Sequence, residues 1–101
     1  MKIFISQPIA GKTDDEIKGN RKTAEGYLKR KYWDHTVEFL DSFFEDYNGN
    51  AVQFLGKSLM VLAEADLVVF LPGWKDNRGC RIEHMVALEY DYQIAYLPEY
   101  K

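Results

Sequence analysis

The sequence predicts a small α/β domain built on a four-stranded parallel sheet. Short apolar runs alternate with segments of helical spacing, in the order βαβαβαβ. Because a helix joins each pair of successive strands, the strands are expected to run parallel and to be covered on both faces. Right-handed crossovers then favour the strand order 2-1-3-4. These features indicate a flavodoxin-like (Rossmann-like) three-layer sandwich, with residues 1–101 in a single domain.

The first strand and helix follow from the N-terminal third of the chain. Residues Lys2 to Ser6 form a short apolar run that Gln7-Pro8 ends, which is typical of a buried strand. Thr13 and Glu16 have the spacing of a capping box, and the helix after it is expected to run to about Tyr32. Its apolar positions fall on one face: Ile17, Ala24, Tyr27 and Leu28.

The middle of the chain predicts a second strand and a second helix. Thr36 to Leu40 is the strand candidate. Residues 41–50 form a lid, a helical turn or a subunit contact, since three aromatic residues make the segment too apolar for a free linker: Phe43, Phe44 and Tyr47. Asn50 with Gln53 can cap the next helix, which is expected to end near Glu64.

The remaining elements surround the segment of greatest chemical interest. Leu67 to Leu71 are five apolar residues that predict a buried third strand. A turn follows, rich in residues that favour turns: Pro72, Gly73, Asn77 and Gly79. The third helix is expected from about Gly79 to Tyr90, and the fourth strand from Gln93 to Leu97.

Composition limits the partners and the compartment. A formal net charge of −3 and a pI near 5.3 argue against binding to polymeric nucleic acid, which requires a basic face. No apolar run is long enough to cross a membrane, and the N-terminal run is too short for a signal peptide. The single cysteine, Cys80, allows no internal disulfide and has no metal-ligand spacing around it, so we expect a cytoplasmic protein without metal or cofactor.

The predicted strand order locates a ligand crevice between strands one and three. Open α/β sheets bind ligands where the strand order reverses, and here that point brings together the loops Ser6–Thr13 and Pro72–Glu83. The first loop has neither the Walker nor the dinucleotide-binding glycine pattern, yet the helix start behind it suits an anion. The alternative is that Pro8 and Gly11 only form a turn.

Glu83 and Trp74 are the candidates for chemistry and stacking. A carboxylate can attack the anomeric carbon of a sugar, although a glutamate near a helix N-terminus also complements the helix dipole. Trp74 can stack on a base or close the pocket, or else fold onto Trp33 or another subunit. Asp66 precedes the third strand and is expected to bond backbone groups there.

Three segments resemble the nucleoside 2-deoxyribosyltransferase-like superfamily, most closely a small branch common in bacteria and their phages. They are KIFISQPIAGK (residues 2–12), AEADLVVFLPGW (residues 63–74) and NRGCRIEHMVAL (residues 77–88). The resemblance implies a flavodoxin-like fold and a glutamate, here Glu83, that attacks C1′ of a 2-deoxyribosyl group. It also implies that Gly79 lets the substrate approach the backbone.

The chain departs from the superfamily pattern at three positions. Phe4 stands where transferases often carry a tyrosine, and Ser58 stands where they carry an aspartate that handles the base proton. Asn77 replaces an aspartate that contacts the sugar, which fits a phosphate or sugar donor better than a base. These departures leave the implied reaction dependent on Glu83.

The resemblance therefore implies an enzyme that cleaves the N-glycosidic bond of a nucleoside or nucleotide. Residues expected to bind the sugar or phosphate are Ser6, Gln7, Pro8, Gly11, Asn77 and Gly79, and those expected on the base side are Ser58 and Trp74. The alternative is a non-catalytic module that binds a nucleotide or ribosyl ligand in a phage–host setting. A weaker alternative is a structural protein that assembles through its aromatic segments. A homo-oligomer, with a dimer favoured, is expected in each case.

Overall fold

The computed structural model of the protein describes residues 1–44 and 48–98. The strands are β1 (Lys2–Ser6), β2 (Glu38–Phe39), β3 (Leu67–Phe70) and β4 (Ile94–Tyr96). The helices are α1 (Asp14–Lys31), α2 (Ala51–Leu62) and α3 (Arg78–Glu89), with a 3₁₀ turn at Trp74–Asp76 before α3. The predicted α/β class and the alternation of strands and helices are confirmed.

The four strands form one parallel sheet in the order β2-β1-β3-β4, as predicted. The two central strands pair over the whole length of β3, from Ile3 opposite Leu67 to Ser6 opposite Phe70. The edge strands β2 and β4 are shorter than the predicted ranges 36–40 and 93–97. An edge strand pairs on one side alone, so fewer of its residues are held in the ladder.

Alternate residues of β1 point into two separate cores, one on each face of the sheet. Ile3 and Ile5 share a buried cluster with Ala24 and Leu28 of α1. Phe4 faces the other way and belongs to the cluster shared with α2 and α3, whose buried members are Phe4, Leu62, Val68, Phe70 and Ala87. This arrangement places α2 and α3 side by side over one face, with α1 alone on the other.

Two of the predicted helix caps are present, and a third accompanies them. Thr13 and Glu16 form the capping box that begins α1. Asn50 and Gln53 form a second one at the start of α2, which ends at Leu62, two residues before the predicted end near Glu64. In α3 the side-chain oxygen of Asn77 accepts a hydrogen bond from the backbone N–H of Cys80, over 3.1 Å.

Asp66 lies at the amino end of β3, as the sequence indicates. Its carboxylate accepts a hydrogen bond of 2.7 Å from the backbone N–H of Lys2 in the neighbouring strand β1. This contact ties together the starts of the two central strands, at the opposite end of the sheet from the crevice. Asp66 is therefore a structural residue.

The 41–50 segment is described in part. Residues 41–44 have no regular structure, and Tyr47 lies with residues 45–47 outside the described part of the chain, as does Tyr100 near the C-terminus. The Ser42 hydroxyl donates a 2.8 Å hydrogen bond to the carbonyl of Ile5 and is itself bound by Arg21 of α1 over 2.6 Å. The beginning of the segment is thus fastened to the carboxyl half of β1.

Candidate functional site

A cavity of about 1040 Å³ opens at the carboxyl ends of β1 and β3. Strand order reverses between these two strands, because β1 is followed by β2 on one side while β3 lies on its other side. This is the position at which open α/β sheets bind ligands. The two loops that the sequence predicted to meet here both contribute to the wall, together with α2 and α3.

Glu83 forms the polar centre of this cavity. It lies on the inward face of α3 with Cys80 and is 7% exposed. The Ser6 hydroxyl, at the end of β1, donates a 2.6 Å hydrogen bond to Glu83 Oε1. The Ser58 hydroxyl, on α2, donates a 2.5 Å hydrogen bond to Glu83 Oε2. Three elements distant in sequence therefore hold one carboxylate.

Burial raises the pKa of the Glu83 carboxyl above its ordinary value, because a charge is disfavoured away from water. The hydrogen bonds from Ser58 and Ser6 favour the charged form and offset part of that rise in pKa. The carboxyl group consequently holds its proton to a higher pH than a glutamate on the surface does. Perturbed carboxyl groups in clefts are typical of functional sites.

Cys80 lines the same cavity but is not suited to attack a substrate. Burial raises the pKa of its thiol to about 12, and the nearby Glu83 charge raises it as well, while the Ser6 hydroxyl lowers it in part. The thiolate is the nucleophilic form of cysteine, so this thiol is unreactive at neutral pH. Cys80 packs as a small apolar residue, as the sequence suggested.

Gln7 is the fourth buried polar side chain of the cavity wall, besides Ser6, Ser58 and Glu83, and is 8% exposed. Its Nε2 group donates a 3.0 Å hydrogen bond to the carbonyl of Ile17 in the first turn of α1. Its Oε1 atom is buried and has no hydrogen-bond partner within residues 1–44 and 48–98. Nearly all buried polar atoms in proteins are paired, so such an exception requires an explanation.

The rest of the wall divides into an apolar side and a charged side. Apolar residues come from α2 and from the 41–50 segment, among them Phe43, Val52 and Leu55. Asp76, Arg78 and Arg81 line the cavity from the opposite loop and the start of α3. The guanidinium of Arg81 also donates a 3.0 Å hydrogen bond to the carbonyl of Lys75.

The sequence interpretation did not include the apolar wall, although α2 carries a detectable signal. Its twelve residues contain one charged side chain, Lys57. A helix so apolar requires more contacts than the sheet alone supplies. The place of Phe43 in the cavity wall depends on the course of the 41–50 segment, which local sequence patterns do not specify.

Six of the nine predicted site residues line the cavity: Ser6, Gln7, Ser58, Asn77, Gly79 and Glu83. In the described part of the chain the wall does not include Pro8, Gly11 or Trp74. Gly11 has φ of 76° and forms a turn. Pro8 lies beside the Gly73 backbone, since a Cβ atom at Gly73 would be 3.4 Å from Pro8 Cγ.

Trp74 packs on the other side of α3, away from the cavity. Its ring centroid is 4.2 Å from that of His84 and 5.3 Å from that of Phe70. It also stacks on Tyr96 at 5.8 Å, and the Tyr96 hydroxyl is 2.6 Å from His84 Nε2. Trp33, the other suggested partner, is 82% exposed. We call Phe70, Trp74, His84 and Tyr96 the aromatic cluster.

Two further properties of the described residues bear on partners. Within residues 1–44 and 48–98, no group of three or more His, Cys, Asp or Glu side chains is arranged to hold a metal ion. None of the helices in the same ranges combines the length and the apolar character that a membrane crossing requires.

Comparison with known proteins yields one family. The model of the family described as "Domain of unknown function (DUF4406)" matches residues 1–96, so the chain belongs to that family. No curated protein and no solved structure matches the chain.

Proposed function

We propose that this member of the DUF4406 family cleaves the N-glycosidic bond of a nucleoside or nucleotide, with the Glu83 carboxylate as nucleophile. One observation carries the proposal. A buried carboxylate lies in the ligand crevice of an α/β sheet, with a serine hydroxyl on each oxygen. The resemblance of residues 2–12, 63–74 and 77–88 to deoxyribosyltransferase-like proteins supports the same reaction.

The first step forms a covalent bond to the enzyme. A Glu83 oxygen attacks C1′, the C1′–N bond breaks, and its electron pair leaves with the base nitrogen, which takes a proton from solvent. The oxocarbenium-like transition state is stabilised by the adjacent negative charge. The hydrogen bonds from Ser6 and Ser58 hold the carboxylate in position for the attack.

The second step releases the sugar. The oxygen of water, or the nitrogen of a second base, attacks C1′ and loses its proton to solvent. The electron pair of the bond between C1′ and Glu83 returns to the carboxylate. Two displacements at the same carbon retain the configuration at C1′.

The two sides of the cavity suit the two ends of such a ligand. The apolar side, with Phe43 and Leu55, suits the flat face of a base. Arg78 and Arg81 suit a 5′-phosphate, because guanidinium groups bind phosphate oxygens in pairs. Asn77 and Gly79 would then lie near the sugar and its 5′ substituent.

The reaction is tested by incubating the protein with ribonucleosides, 2′-deoxynucleosides and the 5′-monophosphates of both, and measuring free base by chromatography. Release of free base is expected from at least one of these compounds. The rate of release should fall by at least about 10³-fold in Glu83→Gln. The matched control is Glu89→Gln, which changes an exposed glutamate of the same helix. Base release that survives in Glu83→Gln would exclude Glu83 as the nucleophile.

A second candidate function is binding without cleavage. It is favoured by the hydrogen bond on each Glu83 oxygen, since a hydroxyl donor stabilises the charge of the carboxylate and makes it a weaker nucleophile. Ser58 is also no acid at neutral pH, so the base would leave without help from that side chain. Nucleotides that raise the melting temperature but release no base would support this candidate.

We further propose that the protein forms a homodimer through α2. Val52 and Met60 on this helix are each 76% exposed. Exposed apolar side chains on one helix are typical of an interface. Sedimentation equilibrium should give twice the mass of the chain, and Met60→Glu should return it to the monomer.

A further inference from the structure

We infer that Gln7 Oε1 accepts a hydrogen bond from a sugar hydroxyl of the bound ligand, which makes Gln7 a specificity-determining residue. The inference rests on the proposed nucleoside or nucleotide ligand. It starts from the unpartnered, buried Oε1 atom of a residue that lines the cavity and concerns binding, so it can be tested separately from the cleavage reaction.

The orientation of the Gln7 amide is set by its other end. The Nε2 group donates to the carbonyl of Ile17 over 3.0 Å. If the amide were turned by 180°, Oε1 would face that carbonyl oxygen, and two acceptors would repel each other. The acceptor is therefore directed away from α1.

Burial makes the free acceptor unfavourable in the absence of a ligand. Gln7 is 8% exposed, and Oε1 has no partner in the described part of the chain. An acceptor withdrawn from water without a new partner destabilises the folded state. A side chain whose only task was to bind α1 would not require this second polar atom.

The chemistry of the surrounding atoms identifies what the ligand must supply. Oε1 is an acceptor and cannot donate. The nearby hydroxyls of Ser6 and Ser58 use their hydrogens on Glu83 and have only lone pairs left for a ligand. The lone pairs that these three side chains leave for a ligand thus fit hydroxyl donors and repel a phosphate or a carboxylate.

The chain also indicates which part of the ligand lies at Gln7. Gln7 follows Ser6, whose hydroxyl contacts the carboxylate proposed to attack C1′. In a ribonucleoside the 2′- and 3′-hydroxyls lie on the face of the sugar from which the carboxylate attacks, whereas the base lies on the opposite face. A ribonucleoside 5′-monophosphate offers two such donors, the 2′- and the 3′-hydroxyl.

The first experiment measures stability without a ligand, in Gln7→Met. Methionine has a similar volume and removes both the unpartnered acceptor and the hydrogen bond to α1, so the two effects should offset each other and the melting temperature should change by no more than a few degrees. If the unpartnered Oε1 atom did not destabilise the protein without a ligand, only the loss of the hydrogen bond to α1 would act, and the melting temperature would fall further. A clear fall would overturn the inference.

The second experiment measures binding by calorimetry in a Glu83→Gln background, which prevents turnover. The probes are the 5′-monophosphates of adenosine, guanosine, cytidine and uridine. Adding Gln7→Met should weaken the best binder about tenfold. The matched control is Gln93→Met, at an exposed glutamine before β4, which should leave the affinity unchanged.

A third measurement identifies the donor through 2′-deoxy and 3′-deoxy forms of the best binder. If the ligand lacks the hydroxyl that contacts Gln7, Gln7→Met should not weaken its binding any further, as in a double-mutant cycle. A tenfold effect that persists with both deoxy forms would assign the donor to the base and overturn the sugar assignment. Unchanged affinity in Gln7→Met, or no binding of any probe at millimolar concentration, would overturn the inference as well.

These outcomes are independent of base release. Binding that depends on Gln7 in a protein that cleaves nothing would refute the proposed reaction and leave this inference standing. Base release by a protein whose affinity is unchanged in Gln7→Met would support the proposed reaction and overturn this inference.

Discussion

Two neighbouring residues of α3, Glu83 and His84, lie in different surroundings. Glu83 faces the cavity and accepts hydrogen bonds from two serines. His84 faces the other way, against the rings of Trp74 and Tyr96. Desolvation raises the pKa of the first and lowers the pKa of the second, since it disfavours the charged form of each.

The contrast teaches that one step along a helix separates a site from a packing cluster. Successive helical residues diverge by about 100°, so two adjacent titratable groups can have unrelated roles. Glu83 has hydrogen-bond donors and a cavity in front of it. His84 has aromatic rings against it, which fix the loop after β3 to β4 through Tyr96.

The largest effect should separate these two side chains. Glu83→Gln is expected to reduce base release by at least about 10³-fold, because it removes the proposed nucleophile. His84→Gln should change it by less than about threefold, because its ring lies outside the cavity wall. Initial rates for both variants, measured on the same substrate, check this. If His84→Gln reduced the rate of base release as much as Glu83→Gln does, the two residues could not have the different roles described.

The dependence on pH should follow Glu83. The attacking carboxyl must be ionised, so the rate should fall as pH decreases through its raised pKa, above the ordinary value of 4.5. His84→Gln should leave the profile of kcat/KM against pH in place. A profile that moves with His84 instead would assign the titrating group to the aromatic cluster.

The same carboxyl should also affect stability, with a sign set by its raised pKa. The folded state holds the Glu83 proton more tightly than the unfolded chain does. The stabilisation that the Glu83 carboxyl gives to the folded state is fully present below its pKa in the unfolded chain and is lost as pH rises through its pKa in the folded state. Glu83→Gln should therefore be more stable than wild type at pH 8, and urea titrations should find a smaller difference at pH 4.

The aromatic cluster should matter for stability and little for chemistry. Trp74→Ala removes ring contacts to Phe70, His84 and Tyr96, and should cost roughly 2–3 kcal/mol of the free energy of unfolding. Trp33→Ala is the matched control, at 82% exposure, and should cost less than about 0.5 kcal/mol. Urea denaturation measures both. If Trp74→Ala had the stability of wild type and bound no nucleotide, Trp74 would have to be a ligand-binding residue.

The smallest effects should distinguish the two predicted glycines. Gly11 has φ of 76°, so Gly11→Ala should cost about 1 kcal/mol of stability through backbone strain. A Cβ atom at Gly79 would meet Asn77 Oδ1 at 3.5 Å, an ordinary contact. Gly79→Ala, within α3, should retain or gain stability by up to about 1 kcal/mol and weaken nucleotide binding. Equal binding in wild type and Gly79→Ala would remove Gly79 from the ligand contacts.

Much of the fold was predictable because its signals are local. The capping boxes at Thr13 and Asn50 depend on residues three apart, and the apolar runs of β1 and β3 depend on adjacent ones. The short edge strands were predicted too long, because apolar character continues past the last paired residue. Pairing depends on a neighbouring strand, which local composition does not report.

The site was predictable in position and less so in composition. Gln7, Asn77 and Gly79 lie in the loops that the strand order brings together, and they line the cavity. Trp74 was expected there because of its exposed turn, but its direction depends on packing against β4 and α3. The apolar wall around Phe43 and Leu55 depends on where the 41–50 segment runs, which no local pattern specifies.

The elements, their order and the parallel sheet could be predicted from the sequence, because capping, periodicity and crossover handedness act over a few residues or follow from connectivity. Which side chains meet at Glu83 depends on the tertiary packing. Ser6 and Ser58 are 77 and 25 residues away from it along the chain, and both bonds form when β1, α2 and α3 pack together. The raised pKa of Glu83 and the unpartnered acceptor of Gln7 have the same origin, since both follow from burial, which packing alone creates.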